Sequence, residues 1–239
     1  MGIAYGVTTN FQATKGIVQD GLVLNLDAGV KQSYSGGTTW RDLSFLSNNA
    51  SLVNTPTLNK QKGGNFTLDG TNQYISVADN NSIEGMSALS LSLWFYADRA
   101  YGTGGTNYGA LLIRKTNSFS LSFNNNNNFG TGAYIHNGTS WSSFMSGPSV
   151  SVSTWANLVF TYDGSICKFY KDGILTGSPT PSVTGNIGTN TNSLTIGTVG
   201  GVNGYELQGA IANAQMYNRA LTAAEVSRNF NVMRHRFGI

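Results

Sequence analysis

The sequence predicts an all-β domain: a two-sheet antiparallel sandwich with an N-terminal arm and a short C-terminal helix. Three observations carry this. Apolar residues recur with period two from Gly21 onward, Asp-Gly and Asn-Gly pairs punctuate the strands, and the last stretch holds the start signals of a helix. A chain of 239 residues fits one large all-β unit with a substantial core.

Residues 1–20 stand apart. They are polar, rich in Gly, Thr and Gln, and carry isolated Tyr5, Phe11 and Ile17 without sustained periodicity. They read as an arm whose three apolar residues dock on a partner, leaving 21–239 as the domain proper. Within it Leu22, Leu24 and Leu26 share one strand face, as do Leu89, Leu91, Leu93 and Phe95. Phe119, Leu121 and Phe123 form a third set, and Leu158, Phe160 and Tyr162 a fourth. The residues between them are small, polar or mixed, so each strand has one face for a core. Turns fall at Asp69-Gly70, Asp163-Gly164, Asp172-Gly173 and Asn203-Gly204. Residues 101–108, the Asn run 124–128 and residues 178–192 read as loops. No helical segment separates the strands, which excludes βαβ units.

The closing helix is specified in detail. Thr222 and Glu225 have capping-box spacing, and Leu221 and Val226 occupy the positions of a hydrophobic staple. Val226, Phe230 and Met233 then form a narrow apolar stripe.

Composition narrows the function. Charged residues are only 10% of the chain, against roughly 25% in typical soluble domains, so Ser, Thr and Asn must carry solubility. The single Cys167 excludes an intramolecular disulfide and reads as a small buried side chain. The start has no basic leader, and no apolar run reaches the ~18 residues of a membrane span, so neither secretion nor membrane insertion is expected. The net charge of +3 gathers partly in Arg228, Arg234 and Arg236, which suit a helix C-terminus better than a nucleic-acid surface.

Catalytic chemistry is sparse. Glycoside hydrolysis needs two carboxylates roughly 5–9.5 Å apart. Glu84, Glu206 and Glu225 are the three glutamates, and none has an acidic neighbour two residues away. A dispersed Glu84–Glu206 pair is the remaining enzymatic alternative; otherwise no catalytic residue is assigned. His136, His235 and Cys167 form no nucleophilic arrangement, and no zinc-ligand cluster exists. Sugar binding needs an aromatic platform beside hydroxyl-binding amides. Tyr101, Tyr108, Trp141 and Tyr205 fall in loops with Asn107, Asn137 and Asn203 near them, and these seven are the candidate platform. Trp40, Trp94 and Trp155 read as core.

Several stretches resemble a known family. MYNRALTAAE (216–225) is similar to the ending of concanavalin A-like domains of the laminin-G-like group, and its continuation to 238 resembles versions in virion proteins of tailed bacteriophages. GLVLNLDA (21–28) with TTWRDLSFLSNNASLVN (38–54) resembles the family's opening, FTLDGTNQYI (66–75) a strand pair, and 155–173 a hairpin. The resemblance implies a concanavalin A-like jelly roll. It also implies a non-enzymatic virion protein, made in the host cytoplasm, released by lysis and displayed on the particle as a capsid decoration, fibre or tail-associated subunit. In that setting the arm binds other virion proteins, the chain is a homo-oligomer, and the loops meet host or environmental glycans. The alternatives are a cellular or secreted lectin-like adhesion module and a glycanase. No cofactor, nucleic acid or membrane partner is expected. Relatives of this fold often bind calcium, for which Asp69, Asp79, Asp163 and Asp172 are donors by type. Turn chemistry already explains three of the four, so no ligand set is assigned.

Overall fold

A computed structural model describes residues 16–101, 109–123, 130–199 and 204–239. The chain enters on β1 (Leu22–Asp27), β2 (Thr39–Trp40), β3 (Ala50–Val53), β4 (Thr57–Asn59), β5 (Asn65–Asp69) and β6 (Tyr74–Val77). It continues through β7 (Leu89–Ala97), β8 (Leu111–Lys115), β9 (Phe119–Phe123), β10 (Gly130–Ile135), β11 (Met145–Ser149) and β12 (Trp155–Tyr162). The hairpin β13 (Cys167–Lys171) and β14 (Ile174–Gly177) follows, then β15 (Leu194–Ile196), β16 (Gln208–Tyr217) and the helix α1 (Ala223–Met233).

These strands form two antiparallel sheets. The first has the order β14-β13-β12-β7-β16-β5-β4, with β1 sharing the long strand β16 beyond β5. The second runs β11-β10-β9-β8-β15-β6-β3-β2. Between them lies one core that takes Leu24 and Leu26, then Leu89, Leu91, Leu93 and Phe95, then Phe119, Leu121 and Phe123, and finally Leu158, Phe160 and Tyr162. Leu22 departs from its set: the register shifts between Leu22 and Leu24, and Leu22 packs in the outer cluster with Tyr217 and Val226. Phe95 and Phe123 meet across it edge to face at 5.8 Å. Trp40 is fully buried there, and Cys167 is buried, its thiol pushed up to about 12 by desolvation.

The outer face of the first sheet is covered. Thr222 accepts from the N–H of Glu225, and the Glu225 carboxylate accepts from the N–H of Thr222, completing the capping box. Val226, Phe230 and Met233 turn inward as the stripe predicts, together with Asn229. Trp94 does not enter the inter-sheet core. It lies on the outer face, stacked on Phe237 at 4.0 Å and Phe230 at 5.5 Å. Trp155 also departs from expectation, half-buried on that face beside Phe237 at 4.9 Å.

Two further departures concern the ends of the chain. Gly16–Asp20, placed by sequence in the arm, is a strap on the domain's own helix. The Val18 N–H donates to Asn229 Oδ1 at 2.8 Å, and the Tyr217 hydroxyl donates to the Val18 carbonyl. Ile17 packs half-buried against this cluster, while Tyr5 and Phe11 lie outside the described residues. The C-terminal arginines act as ties. Arg236 pairs with Asp27 at 2.8 Å, and Arg228 donates to the Gly16 carbonyl.

Candidate functional site

The outer face of the second sheet has no helix over it among the described residues. Its middle is set by ladder register. Thr195, Arg114, Ser120 and Tyr134 face one another in a single cross-strand row, while the adjacent Ile113, Leu121 and Ala133 point into the core. In the next outward row Ser122 lies opposite Gly132. Small side chains therefore make a floor and large ones make walls.

The walls are aromatic. An antiparallel bridge between His136 and Trp141 folds the chain after β10 back over the sheet. Trp141 then stands edge-on to Tyr134 at 6.2 Å and to His136 at 5.0 Å. Phe144 packs on Tyr134 at 5.2 Å, and Tyr205 contributes from the approach to β16. The result is a groove of about 330 Å³, within the size range of small-ligand sites. Gly132 is required for it: a Cβ there would lie 2.1 Å from the Phe144 ring. The Arg114 guanidinium sits 5.8 Å from the centre of the Trp141 ring.

Of the seven residues predicted from sequence, the groove brings together Trp141 and Tyr205. Asn137 holds the adjacent turn, its Oδ1 accepting from the N–H groups of Thr139 and Ser140. Tyr101 is turned inward, 1% exposed, donating to the Gln208 carbonyl and accepting from the Gln208 N–H. Asn107, Tyr108 and Asn203 lie outside the described residues. Sequence reasoning missed Arg114, Ser120, Ser122, Tyr134 and Phe144. The available signal was that Arg114 and Tyr134 occupy the outward phase of apolar strands, where small polar residues otherwise stand.

The carboxylates considered for catalysis and calcium are engaged elsewhere. Glu84 accepts from the Asn190 N–H and lies 3.2 Å from the buried Lys115 ammonium, which also meets Asp79. Glu206 accepts from the Gly204 N–H. Asp69 and Asp163 close their own turns by accepting from following N–H groups, bonds that hold both carboxyls below the usual range against the opposing effect of partial burial. Asp172 accepts from the Asn157 N–H. Among the described residues, no group of three His, Cys, Asp or Glu side chains converges on a metal position.

A larger cleft of about 630 Å³ lies on the first sheet beside the C-terminus, lined by Tyr96, Trp155, Asn65, Lys62 and Asp98. Its rings pack on one another, Tyr96 on Trp155 at 5.8 Å and Trp155 on Phe237, and Lys62 donates to the Phe237 carbonyl. The smaller groove presents its aromatic walls above a narrow floor in which Ser120 and Ser122 are buried, and its rings stand around the groove instead of closing on one another, so it is the better ligand site despite its size.

Two antiparallel sheets packed face to face, closed by one C-terminal helix, define a jelly-roll sandwich of the concanavalin A-like kind. The chain belongs to the concanavalin A-like lectin/glucanases superfamily, whose laminin G-type model matches residues 69–227. No curated protein matches it. Solved structures share the fold at low identity. The binding domain of Paraclostridial Mosquitocidal Protein 1 aligns with TM-score 0.67 and 16% identity over 89% of this chain and 52% of its own. The binding domain of botulinum neurotoxin DC, solved in complex with SialylT, aligns with TM-score 0.67 and 14% identity over 90% and 52%. Domain 4 of AbnA, an extracellular arabinanase of Geobacillus stearothermophilus solved with arabinotriose, gives 0.64 and 17% over 90% and 100%. The chain thus spans about half the length of the toxin binding domains it matches and all of the arabinanase domain.

Proposed function

We propose that the chain is a non-enzymatic glycan-binding domain whose site is the groove on the second sheet. The carrying observation is the convergence of Trp141, Tyr134, Phe144 and Tyr205 around a floor of Ser120 and Ser122 on a sheet face that no helix covers among the described residues. Flat rings take the apolar faces of pyranose or furanose rings, and the floor leaves room for hydroxyls. The arabinotriose complex of the arabinanase domain supports this reading. The test is calorimetric titration with arabinotriose, lactose, 3′-sialyllactose and trigalacturonate. At least one should bind, and Trp141→Ala should weaken it by about tenfold or more, the loss expected when a central aromatic anchor is truncated. Binding by none, or binding indifferent to Trp141→Ala, would reject the site.

The setting we propose is the surface of a bacteriophage particle, with residues 1–20 as the attachment segment to other virion proteins. The support is the resemblance of 214–238 to phage virion versions of the family. The strap at Gly16–Asp20 would seat the root of that segment beside α1. Immunogold labelling of purified particles, with full-length chain and with chain lacking residues 1–15, should give label only with the full chain. Absence of label in both would favour a cellular or secreted lectin-like module.

A further inference from the structure

We propose that the groove selects sugars bearing a negative charge, a carboxylate or a sulfate, and that Arg114 reads that charge. The inference rests on the glycan-binding reading of the same groove and names its ligand class.

Two adjacent cations stand on β8. Lys115 points into the sandwich, where burying an ammonium is tolerable only with counter-charges, and the fold supplies two: Asp79 at 2.5 Å and Glu84 at 3.2 Å. The Asn190 and Asn192 carbonyls also accept from it. Arg114 points the other way, into the groove, and receives no carboxylate: none lies within ion-pair distance. All eleven acidic side chains of the sequence fall among the described residues. No residue lining the groove is acidic. The Arg114 Nε is buried and has no hydrogen-bond partner. Burial pushes this guanidinium below its usual range, with the nearby Tyr205 acting weakly in the opposite sense. The other groove-side feature, the Trp141 ring, accounts for a cation–π contact and not for the open hydrogen-bonding edge.

A half-buried, unpaired guanidinium costs stability, since buried charge is normally paired or hydrogen-bonded. It is also a planar donor fork whose geometry matches carboxylate and other oxyanions. A ligand anion seated in the groove would complete the hydrogen bonding that the fold leaves open at Arg114, while Trp141 and Tyr134 hold the sugar ring. Uronic acids, sialic acids and sulfated sugars share this chemistry.

The experiment uses the full chain and matched pairs that differ in charge: 3′-sialyllactose against lactose, trigalacturonate against its methyl ester, and 6-sulfated lactose against lactose. The three pairs separate sialic, uronic and sulfated sources. At least one acidic member should bind about tenfold or more tightly than its neutral partner. That preference should shrink between about 50 and 500 mM NaCl, and Arg114→Gln should abolish it. The pair ratio and salt dependence are read on the wild-type protein, so they stand even if the variant misfolds. Equal binding of both members of every pair, or an acid preference that survives in Arg114→Gln, overturns the inference and leaves the groove reading intact. Binding of no member overturns both.

Discussion

The two outer faces of the sandwich are built from the same strand chemistry and have opposite fates. On the first sheet, Ser90, Ser92 and Trp94 of β7 lie beside Thr161, Val159 and Asn157 of β12 and Tyr217, Gln215 and Asn213 of β16, and all are buried. Helix α1, the strap and the C-terminal turn cover them. The polar groups there are largely answered within the chain: Ser90 Oγ donates to the Arg219 carbonyl and accepts from the Leu221 N–H, and Asn157 Nδ2 donates to the Leu93 carbonyl. On the second sheet no helix or strap lies over the corresponding row among the described residues: Ser120 and Ser122 are buried beneath an aromatic rim, and Arg114 and Tyr134 stay half-buried. A sheet needs one face buried for stability, and the other is free to serve recognition. This chain buries the outer face of one sheet as well and leaves the other without a helix over it among the described residues.

Four variants sharpen that contrast, in order of expected effect on stability. Trp94→Ala should cost most, about 3–5 kcal/mol, because it empties the stack between Phe230 and Phe237 under the C-terminal lid. Urea unfolding would measure it, and a loss below about 1 kcal/mol would mean the lid is an ornament on an already stable sandwich. Asn229→Ala should cost about 1–3 kcal/mol, since the Val18 N–H and the Tyr217 hydroxyl both lose a buried partner. Faster hydrogen exchange at Val18 is its specific signature.

Smaller again is the acid response of the lid. Hydrogen bonds from Arg219 hold the Glu225 carboxyl at about 2, well below its ordinary 4.5. A depressed folded pKa means the contribution is fully present above about pH 4.5 and is lost as pH falls toward 2. Glu225→Gln should therefore flatten part of the acid slope of stability between those limits, and an unchanged slope would dismiss the pairing. Trp141→Ala should do least to the fold, within about 1 kcal/mol, since its ring packs on a half-exposed rim. Its effect belongs to ligand affinity. A large destabilisation there would make the groove aromatics structural and erase the difference between the faces.

The same contrast explains what the sequence disclosed. The inter-sheet core was legible because alternation such as Leu89-Leu91-Leu93-Phe95 is a local signal, and the helix was legible because its capping box lies within four residues. That Trp94 would sit beneath the helix was not. Its outward phase was visible, but its partners Phe230 and Phe237 lie far along the chain. The groove was half legible. Trp141 and Tyr205 stood out as loop aromatics, whereas Arg114, Ser120 and Tyr134 become neighbours only through the β8-β9-β10 register. Tyr101 shows the limit of the loop argument: an aromatic at a strand end can reach inward and hydrogen-bond the backbone of β16.

Recognition on the sheet face without a helix can be read residue by residue in solution. The most direct test is to record amide nitrogen–proton spectra of the isotope-labelled chain while adding arabinotriose, 3′-sialyllactose and trigalacturonate in turn. Shifts should move for Arg114, Ser120, Tyr134, Trp141 and Tyr205 and stay fixed for Tyr96, Thr154 and Trp155 in the opposite cleft. Movement confined to the opposite cleft would contradict recognition in the groove and transfer the site to the face that carries the helix.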